Sequence, residues 1–223
     1  MAGIARKPGV AYAVLTPNLK GYEGARAAGA GSVAIFASAS ETFAQKNTNC
    51  SIEESFERFA PVMEAAKADG IPVRGYVSCV TDCPYEGRID PAVVARVAGR
   101  LMAIGCYEVS LGDTIGRGTP ETIAAMLDAV LDAVPAEKLA GHYHDTKGRA
   151  LANIEVSLDK GVRVFDAAVG GLGGCPYAPG AKGNVDTLSV AKLMAARGLE
   201  TGLDMDKLES AAAFARSLRE MIA

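Results

Sequence analysis

The chain has 223 residues, 49% of them hydrophobic and 22% charged, with a formal net charge of −3. That length fits one domain able to bury a large core without disulfides or a structural metal, and the charge balance gives no electrostatic basis for binding nucleic acid. No apolar run approaches the roughly 20 residues of a membrane helix, and the opening MAGIARKPGV lacks the apolar stretch of a secretory signal and the Arg/Ser-rich character of a transit peptide, so a cytoplasmic location is expected.

Along the chain, short β-branched runs alternate with Ala/Glu/Leu-rich stretches. The runs predict strands at Val10–Pro17, Ser32–Ser38, Val73–Val80, Glu108–Leu111, Lys138–Tyr143 and Val162–Val169. Helices fill the gaps. Ser51 with Glu54 forms a capping box for one of them, and Pro61 inside that helix predicts a kink or break near Ala60. Asp90-Pro91 and Thr119-Pro120 each set an N-cap before a proline at the first helical position. Gly29, Gly70, Gly105 and Gly161 stand where glycines close helices.

Six consecutive βα units imply parallel strands joined by right-handed crossovers. A doubly wound sheet draws its ligand crevice from strands beside one switch point, whereas in a (β/α)8 TIM barrel every strand end faces one mouth. No G-x-G-x-x-G follows the first strand. Polar and reactive residues instead collect at the C-terminal ends of many strands: Thr16–Asn18, Ser38–Glu41, Ser78-Cys79, Asp113-Thr114, His142–Asp145 and the loop after Ala168. The expectation is therefore a TIM barrel, incomplete, with about six of the eight βα units such a barrel needs. The C-terminal side reads as finished, so the first two units are the ones expected to be missing. Residues 1–223 form one N-terminally truncated catalytic domain in this reading, with 199–223 as a helical appendage.

Three stretches carry chemistry. Both histidines of the chain lie in LAGHYHDT, at His142 and His144. Residues i and i+2 of a strand share a face, so both imidazoles point into the mouth and Tyr143 points outward. Two imidazoles side by side at an open strand end favour a divalent metal over a buried core histidine with a chance neighbour. The second stretch, GGLGGCPYAPGAKGN, runs from Gly170 to Asn184 with six glycines and two prolines. Its Cys175 reads as a reactive thiol on a lid or as an incidental cysteine in a surface turn. Asn184 either caps the last helix or offers its amide oxygen to the metal. In the third, SLGDT, Asp113 is a metal ligand, a base, or the cap of the following turn. The five cysteines, Cys50, Cys79, Cys83, Cys106 and Cys175, show no metal-ribbon spacing, and most are expected to be reduced thiols.

LTPNLKGYEGA, NCSIEESFERF, VRGYVSC, CPYEG, YEVSLGDTIGRGTP, HYHDTKGRALAN and GGLGGCPYAPGAKGN together closely resemble the 3-hydroxy-3-methylglutaryl-CoA lyases. H-x-H-D alone marks the wider group of metal-dependent TIM-barrel lyases, aldolases and synthases, while GGLGGCPYA is much more specific. The resemblance implies that His142, His144 and Asn184 are metal ligands, that Cys175 is the loop cysteine needed for activity, and that Asp113 and His142 are catalytic. It implies Mg²⁺ or Mn²⁺, an acyl-CoA substrate, and cleavage of (S)-3-hydroxy-3-methylglutaryl-CoA to acetoacetate and acetyl-CoA, as in leucine degradation and ketone-body formation. A homodimer is expected by analogy. The family's first strand carries Arg-Asp-Gly, supplying a metal-ligating Asp, and its second a catalytic Glu; no counterpart of either strand is found here. The chain as written is therefore expected to be weakly active or inactive and prone to aggregate. A related aldolase or acyl-CoA synthase, or an inactive fragment, are the competing readings.

Overall fold

The computed structural model describes residues 1, 3–173 and 183–220. In chain order the elements are β1 (Ala13–Leu15), α1 (Leu19–Ala27), β2 (Ser32–Ser38), α2 (Glu41–Thr48), α3 (Ile52–Asp69) and β3 (Val73–Ser78). A small hairpin, β4 (Asp82–Cys83) and β5 (Gly87–Arg88), precedes α4 (Pro91–Ala103). Then follow β6 (Val109–Asp113), α5 (Pro120–Leu131), β7 (Leu139–Tyr143), α6 (Ala150–Asp159), β8 (Val164–Asp166), α7 (Thr187–Ala196) and α8 (Met205–Glu220).

The main sheet is wholly parallel, with order β1-β2-β3-β6-β7-β8. Apart from the hairpin, each strand lies beside its neighbour in sequence, so there is no switch point of the kind a doubly wound sheet needs. The sheet is a six-stranded open arc of a (β/α)8 barrel, as expected. All six predicted strands are present. β1 is shorter than the run Val10–Pro17, and the hairpin β4–β5 was not foreseen. Among the described residues only β2 flanks β1, pairing with Ala13–Leu15.

Alternation along the strands sorts the residues into two layers. Val33, Ile35, Val77, Val109, Leu111, Leu139 and Tyr143 face the helices and are at most 2% exposed. On α4, Val94, Val97, Ala98 and Leu101 repeat at the helical period and are buried; Ile123, Met126, Leu127 and Val130 do the same on α5. Ser51 and Glu54 form the expected capping box, and Asp90 and Thr119 cap α4 and α5. α3 runs unbroken through Pro61. The proline lies on the exposed side of the helix, so the carbonyl it leaves unbonded meets water, while Phe56, Phe59, Val62 and Ala66 hold the other side in the core. Gly70 ends that helix at φ 68°, a left-handed conformation that glycine adopts without steric cost.

α8 lies beyond the last βα unit, with Leu208, Ala212 and Ala215 buried. A Cβ on Gly170 would come within 2.9 Å of the Ala215 Cβ, so this helix packs directly on the turn that follows β8. Among the described residues no helix is long and apolar enough to cross a membrane. Cys50, Cys79, Cys83 and Cys106 are buried free thiols.

Candidate active site

The inner layer of the arc holds the chemistry. Ser38, Ser78, Gly112, His142 and Asp166 are register partners across β2, β3, β6, β7 and β8. They form one row near the C-terminal strand ends. Above and beside the row is a cavity of about 490 Å³ lined in part by Phe36, Tyr76, Ser78, Thr114, His142 and His144. The two imidazoles are brought together there, with ring centroids 5.4 Å apart.

Strand alternation accounts for this pairing. His142 and His144 project inward, and Tyr143 between them is 2% exposed among the helices, its hydroxyl 2.8 Å from the Ser157 Oγ of α6. Burial and the neighbouring His142 hold the His144 pKa down to about 4, against a hydrogen bond to the Thr114 backbone. The ring is therefore neutral at neutral pH, the form that ligates metals. Its Nδ1 is buried without a hydrogen-bond partner.

Asn184 forms an isolated antiparallel bridge with His144, which brings it beside the histidine pair. It does not cap α7; that role belongs to Asp186, whose Oδ2 accepts from the Ser189 amide at 3.2 Å. The Asn184 amide nitrogen donates to the Leu172 carbonyl at 3.1 Å, and the oxygen is the atom a cation would use. Asp145, last of the H-x-H-D motif, accepts from the Ala150 amide at the start of α6, and its own amide donates to the Gly183 carbonyl. It ties the strand end to the loop.

Asp113 is not brought to the mouth. It is the register partner of Tyr143 and shares its outward parity. At 1% exposure it accepts from Gly118 N at 2.8 Å, Thr81 Oγ1 at 3.1 Å and Arg117 N at 3.2 Å. Of the roles open to it from sequence, the geometry is that of a cap on the turn after β6. Burial pushes its carboxyl pKa up, against those three donors. Cys175 lies outside the described residues.

Sequence reasoning missed Asp166. This inward residue of β8 accepts from His142 Nδ1 at 3.1 Å, from Ser110 Oγ at 2.9 Å and from Arg74 at 2.7 Å. Burial alone would raise its pKa; the His142 hydrogen bond and the Arg74 charge outweigh that and hold it at about 2. The available signal was an aspartate inside a strand run, where Asp is normally depleted.

His142, His144 and Asn184 could hold a divalent cation. The orphaned Nδ1 of His144 fits that use, and imidazole nitrogen with amide oxygen suits a hard to borderline ion. The set is partial: among the described residues no group of three or more His, Cys, Asp or Glu side chains gathers around a metal position.

Residues 1–215 match the family model described as HMGL-like. The chain is 58% identical over 214 residues to the "3-hydroxy-3-methylglutaryl-CoA lyase, cytoplasmic" of Danio rerio, covering 96% of this chain and 64% of that protein. It is equally similar, 58% over 214 residues, to the "Hydroxymethylglutaryl-CoA lyase, mitochondrial" of Gallus gallus, covering 96% of this chain and 72% of that one. The crystal structure of the HMG-CoA lyase from Brucella melitensis superposes with a TM-score of 0.96 at 63% identity, over 98% of this chain and 77% of that chain. The chain thus spans less than two thirds of the length of the zebrafish relative. With a histidine pair at the mouth of a parallel arc and this similarity running along almost all of it, the chain belongs to the HMGL-like family of hydroxymethylglutaryl-CoA lyases.

Proposed function

We propose that the protein acts as a divalent-metal-dependent hydroxymethylglutaryl-CoA lyase, cleaving (S)-3-hydroxy-3-methylglutaryl-CoA to acetoacetate and acetyl-CoA. The observation that carries this reading is the inward histidine pair, with the buried, unpartnered Nδ1 of His144 and Asn184 bridged beside it. These residues would hold Mg²⁺ or Mn²⁺, which when bound supplies Lewis acidity to substrate oxygens. A base takes the proton of the tertiary hydroxyl, that oxygen becomes a ketone as the C–C bond breaks, and the electron pair passes to the acetyl-CoA enolate. A proton then returns to the enolate carbon. Cys175, and His142 where its Nε2 faces the substrate and not the cation, are the residues proposed to move these protons. Asp113, turned into the loop after β6, is assigned none; it holds the turn next to Thr114. The glycine-rich 170–184 segment is proposed to cover the thioester. A homodimer, a cytoplasmic setting like that in the zebrafish relative's name, and a place in leucine degradation and ketone-body formation belong to the same proposal.

The test is acetoacetate release from hydroxymethylglutaryl-CoA with Mn²⁺. It is run on this chain and on its Cys175→Ala variant. Metal-dependent release, abolished in Cys175→Ala, is the expected result. A folded chain that binds Mn²⁺ and releases no acetoacetate overturns the reading.

A further inference from the structure

We propose that Asp166, clamped by Arg74 and Ser110, is a positioning residue that fixes the tautomer of His142 and keeps the Nε2 of that ring bare for the mouth. His142 and Asp166 face each other as register partners on β7 and β8. The carboxylate is fixed from three sides. One oxygen accepts from Arg74 at 2.7 Å; the other accepts from Ser110 Oγ at 2.9 Å and meets His142 Nδ1 at 3.1 Å. Arg74 is itself fixed, its Nε donating to Glu108 Oε1 at 2.7 Å and its Nη1 to the Tyr76 hydroxyl at 2.5 Å. An ionised carboxylate only accepts hydrogen bonds, so a neutral imidazole facing it must carry its proton on Nδ1. Nε2 then presents its lone pair, as the inner nitrogen of a metal-ligating histidine does when a carboxylate holds the other. The Tyr76 ring stands edge-on to His142, at 83° with centroids 6.0 Å apart, and this limits rotation of the imidazole.

The composition of this layer supports a role beyond stability. Barrel interiors are ordinarily filled by branched aliphatic side chains. Here β3, β7, β8 and the residue just before β6 contribute Arg74, His142, Asp166 and Glu108 to one mostly buried cluster. A buried ion pair stabilises a fold no better than well-packed apolar residues of similar volume. What the charges supply is direction: a rigid acceptor placed at one chosen nitrogen.

The part of this inference that concerns metal rests on the proposed function, and the experiment separates the two. The chain has only two histidines, so a long-range ¹H–¹⁵N spectrum of the imidazoles shows both rings, and His144→Gln assigns them. At about pH 8, wild-type His142 should show Nδ1–H and a bare Nε2. In Asp166→Asn, which keeps the shape and loses the charge, the proton should move wholly or partly to Nε2. Mn²⁺ affinity, read by electron paramagnetic resonance, should fall about 10- to 100-fold. Ser110→Ala leaves the acceptor in place and should keep the wild-type tautomer. A wild-type His142 protonated at Nε2 overturns the proposal, and needs no variant to fold. So does an Asp166→Asn protein whose His142 tautomer is unchanged. Absence of Mn²⁺ binding by the wild-type chain with the expected tautomer switch would remove the metal reading and leave the positioning role standing.

Discussion

Asp113 and Asp166 end strands that flank β7 on either side, both are largely buried, and they do opposite things. Asp113 shares the parity of Tyr143 and faces the helices; Asp166 shares the parity of His142 and faces the mouth. Each accepts three hydrogen bonds. Yet burial wins at Asp113, whose pKa is raised, and loses at Asp166, which stays at about 2. The difference is the Arg74 guanidinium and the His142 ring: backbone amides and a threonine hydroxyl give partial charges, while a guanidinium brings a full charge to the carboxylate. One residue of strand parity therefore separates a carboxylate that holds a turn from one that holds a histidine.

The largest test of that separation is Asp113→Ala. Removing the carboxylate strands the buried Gly118 amide and Thr81 hydroxyl and leaves the Arg117 amide to solvent. The loss of unfolding free energy in urea should be about 3 kcal/mol, with Mn²⁺ affinity of the folded protein unchanged. A variant of normal stability and lowered metal affinity would place Asp113 at the mouth after all. The next effect belongs to the other face. Mn²⁺ at about a hundred times its Kd should stabilise the wild-type chain by about 2.7 kcal/mol, and His144→Ala should abolish that increment. An equal increment in His144→Ala would mean that the ion binds elsewhere.

Gly141 tests how firmly the outer layer is packed against β7. A Cβ there would meet Phe165 Cδ1 and Tyr143 Cε2, each at 2.9 Å. Tyr143 is wedged in the helix layer and Phe165 packs partly buried against the core, so Gly141→Ala should cost about 2 kcal/mol. A thermal midpoint equal to wild type would show that the layer yields.

Much of this architecture was legible in the sequence because it is local. The period-two pattern of LAGHYH fixes the pairing of the histidines, and Ser51 and Glu54 announce their helix within four residues. The inner cluster was not legible. Arg74 meets Asp166 across 92 residues of chain, and no spacing rule links VRGYVSC to VRVFDAAV. Asp113 was legible only in part, for a subtler reason. Its motif was plain, but whether it faces in or out depends on the strand running two residues further than Leu111, to Asp113, and strand ends are the least determined part of such a pattern. The hairpin β4–β5 has two residues per strand, too few for any alternation to register.

The smallest predicted effect probes the boundary between the two faces most finely. Tyr143 lies between the two histidines, and its hydroxyl is 2.8 Å from Ser157 Oγ. That serine spends its own proton on the Asn153 carbonyl, also at 2.8 Å. The tyrosine must therefore be the donor, and Tyr143→Phe leaves a serine lone pair unsatisfied rather than a stranded proton. The cost should sit near the middle of the range for a neutral hydrogen bond, about 1 kcal/mol by chemical denaturation. Asn153 in turn donates to the Gly118 carbonyl of the turn that Asp113 caps, so this loss runs along the helix-facing network and away from the row of His142 and Asp166. Mn²⁺ affinity and the His142 tautomer should both match wild type. If Tyr143→Phe weakens Mn²⁺ binding as far as Asp166→Asn does, β7 transmits strain from one face to the other, and strand parity no longer divides the chemistry from the packing.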